Sequence, residues 1–226
     1  MVDYSQVVAL ILAGGRSTRM GEDKAQVRVH GERLIDRLVR QLPAGVIPVV
    51  VSPVDLGLAC AVVCEEPPYS GPVAGIAAGM AWIARTHPTC SYVVVLAVDA
   101  PDSSILVSKL CTTLAAADAT VDAITVQAEG YIQPLGVAWR PAALRRALEK
   151  VGDHASTPLK GLLRVSTVGT ITTTGGAERD YDTPAAIQAL HMVAFVPPSK
   201  TTEPRDPGCS KNDPGALGTN TGLAEE

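Results

Sequence analysis

Apolar runs rich in Val and Ile alternate along this chain with stretches whose apolar residues recur every three or four positions. The runs predict strands at 6–12, 47–52, 61–64, 92–98, 123–126, 132–139 and 167–172. Runs as continuous as Tyr92 to Val98 suit a sheet covered on both faces, where neither side may be polar. The periodic stretches predict amphipathic helices. Leu34, Ile35, Leu38, Val39 and Leu42 form one stripe, and Leu106, Leu110 and Leu114 another, with Ser103 or Ser104 as its expected cap. Pro141 and Pro184 each sit where a first helical residue needs no N–H. Strand and helix in alternation define an α/β fold: a three-layer, Rossmann-like arrangement around a mostly parallel sheet. Right-handed crossovers then place ligands beyond the carboxyl ends of the strands.

From Pro197 onward large apolar residues nearly vanish, and Pro, Gly and scattered charges replace them. Such a segment cannot offset its ordering entropy by burial, so residues 197–226 are expected to be a disordered tail behind a folded body of residues 1–196. In a chain of 226 residues, a body of that extent can bury a core of its own. A net charge of −4 leaves no basic surplus to displace counterions from a polyphosphate backbone, which argues against nucleic acid as a partner. No apolar run approaches the roughly 18 residues of a membrane helix, and no basic start precedes the first strand as in a signal peptide. Five cysteines without a Cys-x-x-Cys pair offer no zinc site. A cytoplasmic protein is expected.

The segment after the first strand, Leu12-Ala13-Gly14-Gly15-Arg16-Ser17-Thr18-Arg19-Met20-Gly21-Glu22-Asp23-Lys24, concentrates three glycines and three basic residues. Glycines let backbone N–H groups approach a phosphate that a Cβ would hold away, and Arg16, Arg19 and Lys24 supply charge to neutralise it. It is neither a Walker loop, because Ala25 follows Lys24, nor a dinucleotide fingerprint, because that glycine spacing is missing. A glycine-rich turn with solvated charges is the ordinary reading of any single Gly-Gly pair; the combination favours a triphosphate site.

Asp99 ends an apolar strand in the run Val98-Asp99-Ala100-Pro101. A carboxylate there can meet Mg²⁺, with water and phosphate oxygens completing the shell, or it can cap the helix that follows, as can Asp102. Gly71, Gly75 and Gly79 recur every four residues on one helical face, which serves close packing or close approach of a nucleotide equally well. Asp182 or Thr183 before Pro184 is by itself a helix-capping pattern. His30, His87, His154 and His191 stand in no motif, and no Gly-x-Ser-x-Gly elbow supports hydrolase chemistry.

These motifs resemble those of the molybdenum cofactor guanylyltransferases, a branch of the nucleotidyltransferases with a Rossmann-like domain. The resemblance rests on Leu12 to Gly15, Arg19 to Gly21, Asp23-Lys24, the Val-Asp-x-Pro around Asp99, Gly71-Pro72-Val73-Ala74-Gly75, Gln133-Pro134-Leu135 and the Asp182-Thr183-Pro184 element. It implies transfer of GMP from GTP to molybdopterin or the molybdenum cofactor, with pyrophosphate released and Mg²⁺ as cofactor. It also implies molybdoenzymes or cofactor-delivery proteins as partners. Carried over residue by residue, Lys24, Arg19 and Asp99 become the catalytic set. Leu12, Ala13, Gly14, Gly15, Lys24, Ser52, Glu66, Gly71 and Asp99 become the nucleotide site, and Asp99 with Asp182 the metal site. The family has Asp where this chain has Glu66, and Asn where it has Ser52. A cytidylyltransferase on molybdopterin, a guanylyltransferase for another small phosphate and a non-catalytic nucleotide-binding regulator stay open as alternatives.

Overall fold

A computed structural model describes residues 1–14, 24–128, 131–155 and 157–173, with Lys24 described by its backbone alone; all belong to one unit, Met1–Val193. The expected tail, and with it Pro184, lies outside the described residues.

The elements run in chain order as follows. A 3-10 turn leads into β1 (Val7–Leu12); a second 3-10 turn, Lys24–Gln26, precedes β2 (Arg28–Val29), β3 (Glu32–Arg33) and α1 (Leu34–Arg40). β4 (Ile47–Val51), β5 (Ala61–Val63), α2 (Pro72–Thr86) and β6 (Tyr92–Ala97) follow, then a 3-10 turn at Ser103–Leu106 and α3 (Val107–Ala116). β7 (Ala123–Ala128), β8 (Tyr131–Ile132), β9 (Val137–Trp139), α4 (Pro141–Val151), α5 (Lys160–Arg164) and β10 (Val168–Thr172) complete the fold. The main sheet is ordered β10-β7-β9-β6-β1-β4-β5, with β8 on β7. β1 lies parallel to β4 and β6, β4 to β5, and β7 to β10; β9 alone runs antiparallel between β6 and β7 on this path. The mostly parallel α/β sheet expected from the sequence is the one found.

The strands are apolar on both sides because both sides are covered. Val7, Ala9 and Ile11 of β1 face α1 and α3, meeting Leu34, Ile35, Leu38, Leu110 and Leu114. Val8 and Leu10 face the opposite layer, with Val73, Ile76, Met80 and Ile83 of α2 and Leu144 and Leu148 of α4. Every one of these side chains is buried. Burial at roughly 25 cal/mol per Å² of apolar surface, rather than helix propensity, is what holds α1 in place, since seven residues are too few to be helical alone.

Gly79 shows how tightly α2 sits on β1. A Cβ there would lie 2.3 Å from Leu10 Cδ1, so this glycine serves packing. Gly79→Ala is expected to lower unfolding free energy by about 1–3 kcal/mol through overpacking, read by urea unfolding.

Three sequence expectations are corrected. Neither Ser103 nor Ser104 caps α3: Leu106 holds the N-cap position with no side-chain bond, while Ser103 Oγ donates to Ala100 O and Ser104 Oγ to Gln41 Oε1. The serines satisfy the preceding turn instead. Asp102 is likewise no side-chain cap; it accepts from Arg37. The single strand expected at 132–139 is two, β8 and β9, because Pro134 has no N–H for a ladder and Gly136 takes φ +71°. Both strands pair with β7, and their registers leave extra residues between them. The short β2–β3 hairpin carries no apolar run and was not expected from the pattern.

Candidate active-site cleft

Parallel strands end together, and the hydrogen-bond ladders here run past the last strand residues. Ala13 N–H donates to Val51 O (2.9 Å), Val98 N–H to Leu12 O (3.1 Å) and Ser52 N–H to Val63 O (2.9 Å). The carboxyl ends of β1, β4, β5 and β6 are thereby locked in one register. Above them opens a cleft of about 410 Å³, the place where α/β sheets bind ligands.

Each wall comes from a different element. Leu12 and Gly14 enter from the end of β1, Asp99 from the turn after β6, and Gly71 and Gly75 from the start of α2. Gly71 sits at φ +106°, a backbone state that L side chains rarely adopt, and it turns the chain into the helix at Pro72. A Cβ on Gly75 would come within 3.0 Å of Val51 Cγ1 and 3.7 Å of Glu65 Oε2, so this position both packs on the sheet and keeps the cleft open. Leu135, from the segment between β8 and β9, and Leu159, just before α5, form an apolar flank.

Among the described residues that line the cleft, the two charged groups are carboxylates, Glu65 and Asp99. Asp99 is half-buried. Glu65 is only 6% exposed, and its Oε1 accepts the Tyr69 N–H at 2.9 Å, closing the loop between β5 and α2. Tyr69 itself is held at φ +64°, a strained state for a tyrosine, which that bond helps to fix. The neighbouring Cys64 is exposed; partial burial and the facing Glu65 carboxylate push its thiol up, away from a reactive thiolate.

The structure brings Leu12, Gly14, Gly71 and Asp99 of the predicted site to this one cleft. Ala13 and Ser52 lie beneath it, buried; Ser52 Oγ is engaged with the backbone of Val54. Glu66 is exposed and outside the lining, whereas Glu65, which the sequence reading did not single out, is inside. Beyond the end of β5 the chain bends at Glu66, and Glu65 is the one of the two adjacent glutamates that is buried in the cleft wall. The resemblance assigned Glu66 to the nucleotide site, and the structure places its neighbour Glu65 there instead. Gly15, Arg19 and Asp182 lie outside the described residues, as does the Lys24 side chain; the Lys24 backbone forms a 3-10 turn whose next residue, Ala25, is fully buried.

A sheet that ends in a glycine-bearing loop, a carboxylate after its central strand and a small-residue helix over the same cleft is the architecture of a nucleotidyltransferase. Solved structures agree on the fold. The molybdopterin-guanine dinucleotide biosynthesis protein A from Archaeoglobus fulgidus superposes with a TM-score of 0.63 at 18% identity, over 82% of this chain and 97% of that one. A nucleotidyl transferase from Methanothermobacter gives 0.63 at 18%, over 82% and 96%. Residues 9–168 match the model of the MobA-like NTP transferase domain. A molybdenum cofactor guanylyltransferase from Rhizobium johnstonii is 35% identical over 150 residues, 66% of this chain and 69% of the relative. A protein of the same name from Natronomonas pharaonis, there termed probable, is 32% identical over 168 residues, 68% and 79%. The chain belongs to the MobA-like NTP transferase family.

Proposed function

We propose that this protein transfers GMP from GTP to the terminal phosphate of molybdopterin or its molybdenum form, releasing pyrophosphate and forming the guanine dinucleotide. An oxygen of the acceptor phosphate attacks the α-phosphorus of GTP; the new P–O–P bond forms as the α–β bridge bond breaks, and pyrophosphate carries the electron pair away. A phosphate monoester has its second pKa near 6, so the nucleophile needs no general base at neutral pH. This accords with a cleft lined, among the described residues, by no histidine.

The observation that carries the reading is the convergence of Gly14, Gly71, Glu65 and Asp99 on one cleft at the strand ends. Two carboxylates alone would repel a triphosphate. Charge balance therefore calls for cations beside the phosphates, a part that Lys24, Arg19 and a divalent ion would take. The donor chemistry fits Mg²⁺: hard carboxylate oxygen, with space left for water and phosphate oxygens, is how that ion is held. Asp99, with Asp182, would hold it; bound there, it neutralises charge developing on the phosphates. Lys24 and Arg19 would take up the charge of the departing pyrophosphate. Glu65 offers paired acceptor oxygens in a buried wall, complementary to the adjacent N1–H and N2–H donors of guanine.

Pyrophosphate release is the test, with GTP, CTP, ATP and UTP in turn, with and without molybdopterin, in Mg²⁺ and in EDTA. Turnover is expected with GTP, acceptor and Mg²⁺ together. Release with CTP instead would make the chain a cytidylyltransferase, and GTP binding without release would make it a regulator. Among the described residues no helix is long and apolar enough to cross a membrane.

A further inference from the structure

Outside the cleft, a cluster of four mutually bonded polar side chains joins α1 to the turn that carries Asp99. Arg37 donates to Asp102 Oδ1 through Nε (2.9 Å) and Nη2 (2.7 Å), and Gln41, one helical turn on, reaches the same oxygen through Nε2 at 3.4 Å. Ser104 Oγ in turn donates to Gln41 Oε1 at 3.2 Å. The Arg37 and Asp102 side chains are 25% and 23% exposed, so the pair is shielded without being sealed. None of these four residues lines the cleft.

We infer that Arg37, acting through Asp102, is a positioning residue that sets the place of the Asp99 carboxylate in the cleft. The reading rests on the proposed nucleotidyl transfer and extends it to a residue that touches neither substrate. The path between the two acids is short and bonded throughout. Ser103 N–H (3.0 Å) and Ser103 Oγ (2.6 Å) both donate to Ala100 O, and Ala100 N–H donates to Ala97 O (3.2 Å) at the end of β6. On the other side Val98 N–H is fixed to Leu12 O. Asp99 is thus clamped between the sheet and a turn whose outer end is the Arg37–Asp102 pair. Release of that pair removes the charged tie between α1 and the turn and leaves the weaker Ser104–Gln41 bond as the side-chain link to α1. An ion pair that stays about a quarter exposed contributes little to global stability. Small displacements of a reacting group, by contrast, cost rate steeply. The pair therefore matters more to ion placement than to folding.

The test uses the full chain with four variants: Arg37→Met, which keeps the apolar stem; Asp102→Ala; Asp102→Asn, which keeps an acceptor oxygen for Arg37; and the double variant Arg37→Met/Asp102→Ala. Two readouts are taken: kcat and KM for GTP, and Mn²⁺ binding in the presence of GTP by electron paramagnetic resonance. Arg37→Met and Asp102→Ala should each lower kcat about tenfold, with KM for GTP within about twofold, and should weaken Mn²⁺ binding by a similar factor. The double variant should be no worse than either single one, because both break the same link. Asp102→Asn should recover most of the loss, and melting temperatures should move by less than about 5 °C. Unchanged kcat and Mn²⁺ binding in both single variants would overturn the inference. So would additive losses that track melting temperature without recovery in Asp102→Asn, since those mark a merely structural pair. A wild-type chain that binds Mn²⁺ with GTP yet turns over no acceptor would sink the proposed reaction alone, and the Mn²⁺ readout would still judge Arg37. A wild type that binds no Mn²⁺ would sink both.

Discussion

Asp99→Asn should lower kcat for pyrophosphate release by about a thousandfold while leaving the fold intact. The amide is nearly isosteric and keeps an acceptor oxygen, so the turn after β6 keeps its shape; it loses the negative charge that would hold a divalent cation against the phosphates. Preorganised charge at a reacting phosphate typically supplies about 3–4 kcal/mol, which corresponds to the factor stated. GTP should still bind through the remaining cleft walls, so the loss should fall on kcat more than on KM. Steady-state kinetics and thermal unfolding of the two proteins decide it. A variant within tenfold of wild type, equally stable, would remove Asp99 from the chemistry and leave the cleft without its proposed ion site.

The second large effect is on choice of nucleotide. Glu65→Gln should lower kcat/KM for GTP about 10- to 100-fold and raise the relative use of the other triphosphates. A carboxylate presents acceptors on both oxygens, whereas the amide replaces one of them with a donor that would face a guanine N–H. Hydrogen bonds to a charged group contribute about 1.5–3 kcal/mol, and a buried mismatch costs the same order. The structural bond survives, because Gln retains a carbonyl oxygen to accept the Tyr69 N–H. Competition binding of GTP against CTP and ATP, with circular dichroism as the folding control, separates loss of recognition from loss of structure. Undiminished preference for GTP would leave Glu65 as a loop anchor only.

Strands that must be apolar on two faces announce themselves, which is why β1, β4 and β6 and the parallel character of the sheet were legible beforehand. Ser at a helix start caps by default, but Ser103 and Ser104 lie inside the 3-10 turn ahead of the N-cap Leu106, and their hydroxyls donate to Ala100 O and Gln41 Oε1. The interruption between β8 and β9 was announced by Pro134 and Gly136, yet the apolar residues around them masked it.

Local chemistry along the chain was enough to determine that the protein is an α/β domain with a glycine-rich cationic loop after its first strand and an acid after its central one. Periodicity and charge are properties of neighbours in sequence, so they need no third dimension. Only the tertiary structure decided that Gly14, Glu65, Gly71 and Asp99 share a cleft, that Glu65 rather than Glu66 faces it, and that Arg37 reaches across to the Asp99 turn. Those facts depend on which strand ends lie side by side in the sheet. That order, β6-β1-β4-β5, arises from burying both sheet faces at once, a constraint on the whole chain that no single segment carries.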